Sequence, residues 1–312
     1  MKRQPFFSVR RNMVLSAVFY TFLWGSAFPL VKICMDSFQI EGTDNMSKCL
    51  LAGIRFTIAG ILTLIFHQFF GSDGLKLDRK QFRYVTIYGL VATAMQYALT
   101  YIALSRMDGS KGAVWDQLGV FIIVLTGGLV FRDEKLGLYK LLGCAVGFIG
   151  VLAINTSSVG FTFSLAGEGV MLLVVVCQTL SFFLAKGSSS IMAASKMVGY
   201  GQLFGGIALT VVALLFGGQI TTVNPLALVT LIGLALISAV AYTLSLMPLK
   251  YFPVSEVSAF NLLITVFGVV MSAALLGENI LQWNYFVSLG LISLGIMFIN
   301  MTSKKRGKVK GV

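Results

Sequence analysis

Two charged residues stand where the chain offers them no obvious partner. Asp116 lies in GAVWDQLGVF, residues 112–121, near the start of a run from Gly112 to Phe131 that is otherwise almost wholly apolar. Arg55 lies in LLAGIRFTIAG, inside another such run. A carboxylate in an apolar run can hold a cation or carry a proton, and a guanidinium can hold a carboxylate through two parallel hydrogen bonds. What the rest of the chain lacks narrows the choice. His67 is the only histidine, and Cys34, Cys49, Cys144 and Cys177 do not have metal-site spacing. No serine has a credible base partner, so neither metal-assisted nor nucleophilic catalysis has a constellation to work with. No catalytic residue, cofactor or metal is expected, and a membrane-embedded enzyme is the least favoured reading. Binding is the chemistry left.

Composition says what must position these two charges. Of 312 residues, 57% are hydrophobic and only 12% charged, and the mean hydropathy is +0.87. A soluble domain carries about 25% charged residues, so this chain is read as an all-α integral membrane protein. Ten apolar segments of spanning or near-spanning length fall near 13–34, 48–70, 84–105, 109–131, 139–154, 168–186, 196–217, 226–249, 254–276 and 282–301. Long uninterrupted runs indicate helices, because a barrel would show short alternating strands. The first run is long and lacks a small-residue cleavage site, so it reads as a spanning helix and not as a secretory leader.

Charge orients the segments. The side that holds both termini collects Arg10, Arg11, Lys76, Arg79, Lys80, Arg83 and the tail KKRGKVK, among others, whereas the opposite side has only Lys32, Lys48, Arg106 and Lys111. Positive residues stay in the cytoplasm, so both termini are expected there, and a bacterial inner membrane is the expected compartment. The net charge of +12 is a topology signal. It offers no folded basic face for nucleic acid, and the tail is expected to rest near anionic lipid headgroups.

On this frame Arg55 and Asp116 each lie about seven residues inside the external end of a helix, roughly 10 Å deep at 1.5 Å per residue. A lone charge at that depth costs about 3 kcal/mol, and such charges pair or mark a pathway. An Arg55–Asp116 pair is the economical expectation, with at least one member facing a substrate. His67, near the cytoplasmic end of its segment, reads as an interfacial side chain. Cys34 and Cys49 flank an external acidic loop and are expected to be buried free thiols. Gly25 and Pro29 fall mid-membrane, either to expose a backbone carbonyl to a cavity or to form a packing kink.

The chain repeats itself. Tyr97, Leu99 and Leu104 match Tyr242, Leu244 and Leu249; Ser110 and Leu118 match Ser255 and Leu263; Glu134 falls opposite Glu278. The organisation expected is a cytoplasmic segment 1–12, a five-helix unit 13–155, a second five-helix unit 156–301 and a basic tail 302–312. Five is odd, so the second unit enters the membrane inverted. Inverted repeats with a midplane site between them are the plan of secondary transporters.

The stretches WGSAFPLVK and LLAGIRFTIAG, with RDEKLGLYKLLGCAVGFIG and GENILQWNYFVSLGLISLG closing the two halves, resemble EamA-domain proteins of the drug/metabolite transporter superfamily. The chain departs from that pattern at Asp133, where a glycine is usual, and at Asp116. The resemblance implies export or exchange of a small metabolite, such as an amino acid or related amine, often linked to an ion gradient. Protons are then the expected coupling ion, and a monomer or homodimer the expected state. A channel or facilitator for small solutes is the alternative. The candidate substrate-binding residues are Trp24, Arg55, Gln96, Tyr97, Tyr101, Trp115, Asp116, Tyr242 and Asn261, with Gln178 and Gln202 as weaker candidates. Trp115-Asp116 and Phe260-Asn261 occupy matching positions, and the aromatic side chains suit cation–π contact with an ammonium group.

Overall fold

The computed structural model of this chain describes residues 6–71, 73–131, 136–153, 156–157, 160–161 and 163–307. Of the residues discussed above, Asp133, Glu134, Lys308 and Lys310 lie outside the described residues.

Backbone groups in lipid have no partner but one another, which leaves the helix as the unit of construction. In chain order the helices are α1 (Arg10–Ser37), α2 (Asn45–Phe70), α3 (Arg79–Leu104), α4 (Gly109–Val130), α5 (Leu138–Ala153), α6 (Leu165–Ser188), α7 (Ala194–Leu215), α8 (Pro225–Lys250), α9 (Val254–Leu276) and α10 (Trp283–Gly307). Eight are long and apolar enough to cross a membrane, whereas the apolar parts of α5 and α10, Leu138–Gly150 and Trp283–Ile299, are shorter. Between α5 and α6, Thr156–Ser157 pairs antiparallel with Gly160–Phe161. Local sequence sets the helix starts. Asp44 accepts from the Ser47 amide at α2, Asp78 and Gln81 form a capping box at α3, and Asn224 caps α8 ahead of Pro225. Gly277, at φ 67°, closes α9 in the left-handed conformation that glycine adopts without strain.

Helix packing follows the repeat. α2 lies against α7 and α5 against α10, each pairing a helix with its own counterpart. α1 packs on α8 and α9, and its counterpart α6 packs on α3 and α4. The bonds at the helix ends are duplicated as well. Lys32 donates to the Met107 carbonyl (2.9 Å), and Lys186 donates to the Leu249 and Phe252 carbonyls (3.0 and 3.1 Å). Ser110 Oγ meets Tyr285 Oη at 2.8 Å, and at the other end Lys140 donates to Ser255 Oγ at 2.8 Å.

Glycine allows the closest of these contacts. Gly53 and Gly60 on α2 face Gly206 and Gly199 on α7 so closely that a Cβ on Gly206 would stand 2.5 Å from the Thr57 nitrogen. Gly143 and Gly147 do the same on α5: their neighbours are the Gly295 backbone and Ile299 of α10 and the Phe121 ring, so this small-residue face is used within the chain. Gly25 belongs to the same class. A Cβ there would lie 2.6 Å from Phe267 Cβ, so the Gly25–Pro29 turn of α1 serves its packing on α9.

Candidate substrate-binding site

Two helices break where the site forms. In α4 a helix over Gly109–Asp116 gives way to one over Leu118–Val130, and the ladder tightens around Gln117, with Gln117 N to Val114 O and Val120 N to Gln117 O both 3.1 Å. At the matching place α9 passes through a 3₁₀ turn, Phe260–Leu262, between Val254–Ala259 and Leu263–Leu276. Such breaks are tolerated at membrane depth only where protein or a cavity covers the freed backbone groups. α3 carries a third irregularity, the π-helical stretch Gly89–Met95, a feature common at functional sites.

Between these elements lies a cavity of about 70 Å³, room for about five waters at roughly 10–15 Å³ each. It is lined by Trp24, Phe28, Arg55, Tyr88, Gln96, Tyr97, Thr100, Tyr101, Asp116, Gln178, Ser181, Phe182, Tyr242 and Leu246, with a few aliphatic neighbours. Both repeats supply matched positions. Tyr97 and Tyr242, 145 residues apart, touch hydroxyl to hydroxyl at 2.6 Å. Phe28 and Phe182 take equivalent places in Phe28-x-Leu30-x-Lys32 and Phe182-x-Leu184-x-Lys186, and the same alignment sets Trp24 opposite Gln178. Aromatic edges close the wall: Trp24 meets Tyr242 at 5.0 Å and Phe56 meets Tyr97 at 4.1 Å between ring centroids.

The two charges reach the cavity separately. Arg55, 2% exposed, donates from Nε to the Leu234 carbonyl (3.2 Å) and Ser238 Oγ (3.0 Å), and from Nη1 to Tyr101 Oη (3.2 Å). Its guanidinium lies 4.9 Å from the Phe56 ring centre and 5.7 Å from that of Tyr97. Asp116 accepts from Gln178 Nε2 at 3.1 Å and from Gln117 Nε2 at 3.4 Å. The ion pair expected between them is not formed. Neutral carbonyls and hydroxyls from α8 and α3 satisfy the guanidinium, and amide side chains satisfy the carboxylate.

Of the residues singled out from the sequence, Trp24, Arg55, Gln96, Tyr97, Tyr101, Asp116 and Tyr242 line the cavity. Trp115 is buried beside it, its ring 5.9 Å from that of Phe163. Asn261 accepts from Tyr20 Oη at 3.1 Å, away from the lining. Gln202 supports the site from behind, donating to the Ser238 carbonyl at 3.2 Å. His67, near the end of α2, is covered by protein. It is 1% exposed, with Nδ1 2.7 Å from Ser195 Oγ and Nε2 2.7 Å from the Asp73 carbonyl, because the chain after α2 folds back over it. All four cysteines are free and buried.

The profile of the EamA-like transporter family matches residues 11–156 and again 165–301. The chain belongs to that family. It is 21% identical to the inner membrane transporter YedA of Escherichia coli over 288 residues, covering 89% of this chain and 87% of that protein. It is also 23% identical to a probable amino-acid metabolite efflux pump of Salmonella typhimurium over 277 residues, covering 85% and 87%. A solved crystal structure shares the fold with a TM-score of 0.74 at 14% identity, covering 95% of this chain and 99% of that one.

In this EamA-like transporter the aromatic and hydroxyl-bearing lining residues that hydropathy and charge alone passed over are Phe28, Tyr88, Thr100, Ser181 and Phe182. The signal for two of them was present: aligning α1 with α6 pairs Phe28 with Phe182 and Lys32 with Lys186. Gln178, a weaker candidate in the sequence, is the nearest partner of Asp116. Gly119 makes room for it, since a Cβ there would collide with the Gln178 side chain.

Proposed function

We propose that this transporter moves a small zwitterionic or cationic metabolite, an amino acid or related amine, across the inner membrane by alternating access, as an exporter or exchanger. The observation that carries this reading is that Arg55 and Asp116 line one cavity without neutralising each other. A buried cation and a buried anion held only by neutral groups leave each other's charge for a ligand to meet. In this reading Arg55 takes the substrate carboxylate, and Asp116 takes its ammonium group or a coupling proton. The rings of Trp24, Tyr97 and Tyr242 give the ammonium an aromatic surface. Both termini face the cytoplasm, as the basic loops direct.

Alternation would open this cavity toward one face and then the other. A solute pore would keep an open path, and alternation is the reading that the matched halves favour. The test is a thermal-shift screen of the purified protein against amino acids, amines and nucleosides, because a ligand that binds the folded state raises its apparent stability. Zwitterions are expected to raise the melting temperature of the wild type and not that of Arg55→Met or Asp116→Asn, and amines to lose their effect in Asp116→Asn. Nucleosides acting alone, or equal shifts in all three proteins, would set this assignment aside.

A further inference from the structure

Among the described residues three ion pairs tie one repeat to the other; besides Lys196–Asp73 at 3.7 Å, two occupy matching places at opposite ends of the molecule. Arg10, at the start of α1, meets Glu256 at the start of α9 at 3.1 Å. Glu168, in the opening turn of α6, pairs with Lys111 at the start of α4. Lys111 and Glu256 match at the spacing that relates Tyr97 to Tyr242. Their partners stand at the starts of the counterpart helices α1 and α6, Glu168 about one turn further in. The polarity is reversed: the first repeat supplies the cation in both pairs. The acidic members are nearly enclosed, Glu168 at 3% and Glu256 at 9% side-chain exposure.

Each pair fastens the tip of one hairpin, α3–α4 or α8–α9. Of the lysine bonds at these tips, Lys140 to Ser255 also crosses between the repeats, whereas two stay within one: Lys32 holds Met107, and Lys186 holds Leu249 and Phe252. These two can persist while the repeats move. The ion pairs cross between repeats, so movement of one half against the other must break them. Each also sits at the head of a broken helix, one carrying Asp116 at its break and the other Asn261.

We infer that Lys111–Glu168 and Arg10–Glu256 are the two gates of the transport path, one closing each face, and that they open in turn. This rests on the alternating-access reading above. Both pairs are formed in this structure. Arg10 is 47% exposed and Lys111 19%, and an exposed pair is the weaker one. The Arg10–Glu256 face is therefore the one that opens more readily.

The test reads access to the cavity. Thr100→Cys, in a chain whose four cysteines are replaced by alanine, is labelled with an impermeant thiol reagent in sealed vesicles of each orientation. Gly42→Cys and Gly74→Cys, at exposed positions on opposite faces, identify the sides. Glu168→Gln is expected to raise labelling from the α3–α4 face about three-fold and lower it from the other, and Glu256→Gln to do the reverse more weakly. The exchanged pair Lys111→Glu/Glu168→Lys is expected to restore wild-type rates, which separates gating from damage to the fold. Labelling that changes equally on both faces, or on neither, would overturn the gates. Fast labelling from both faces at once in the unmodified background would instead refute alternating access itself.

Discussion

Asp116 and Arg55 answer to different partners, and that can be measured. Had they formed a buried pair, removing either charge would strand the other at a cost of about 3–5 kcal/mol, and removing both would recover most of it. Held instead by Gln178 and by Ser238, Tyr101 and the Leu234 carbonyl, they should behave independently. A double-mutant cycle of Arg55→Gln and Asp116→Asn is expected to give a stability coupling within about 0.5 kcal/mol of zero, measured by thermal or denaturant unfolding in detergent. A coupling of several kcal/mol would restore the ion pair. Asn can still accept the Gln178 hydrogen bond, so Asp116→Asn is expected to remain folded while losing transport. The sequence exposed both charges because deep charges stand out against apolar runs. It could not show that each had neutral partners, because Ser238, Gln178 and the Leu234 carbonyl come from helices more than fifty residues away.

At the scale of the element, glycine decides how near two helices come. The spacing of Gly143 and Gly147 announced a close contact, and the structure supplies its partner within the chain, α10. A side chain at Gly147 would meet the Phe121 ring at 2.2 Å from its first carbon. Gly147→Leu is therefore expected to lower stability by about 1–3 kcal/mol through overpacking, seen as an earlier melt and a smaller monodisperse peak on size exclusion. Wild-type melting would mean that the Phe121 ring of α4 can yield to α5 without cost. Helix positions were legible because hydropathy has the length of a span. The break of α4 at Gln117 was not, because no proline or glycine pair marks it beside Asp116, and only the match to Phe260–Leu262 makes it intelligible.

For the whole molecule, the twofold plan was read from a few collinear matches and recurs in helix pairings, in clamped loop carbonyls and in the cavity wall itself. What broke the symmetry was harder to read. Arg55, Tyr101 and Asp116 all come from the first repeat, so the charge of the cavity is one-sided although both repeats line it. A symmetric frame around a polar, oriented site is what a carrier requires: two equivalent conformations and one way for the substrate to lie. The most direct measurement is counterflow in proteoliposomes. Vesicles loaded with an unlabelled amino acid or amine that stabilises the protein are diluted into a trace of the labelled compound. A carrier is expected to show a transient, saturable overshoot of label that Asp116→Asn abolishes. Simple equilibration without overshoot, or an overshoot unchanged in Asp116→Asn, would contradict an alternating carrier with its site at this cavity.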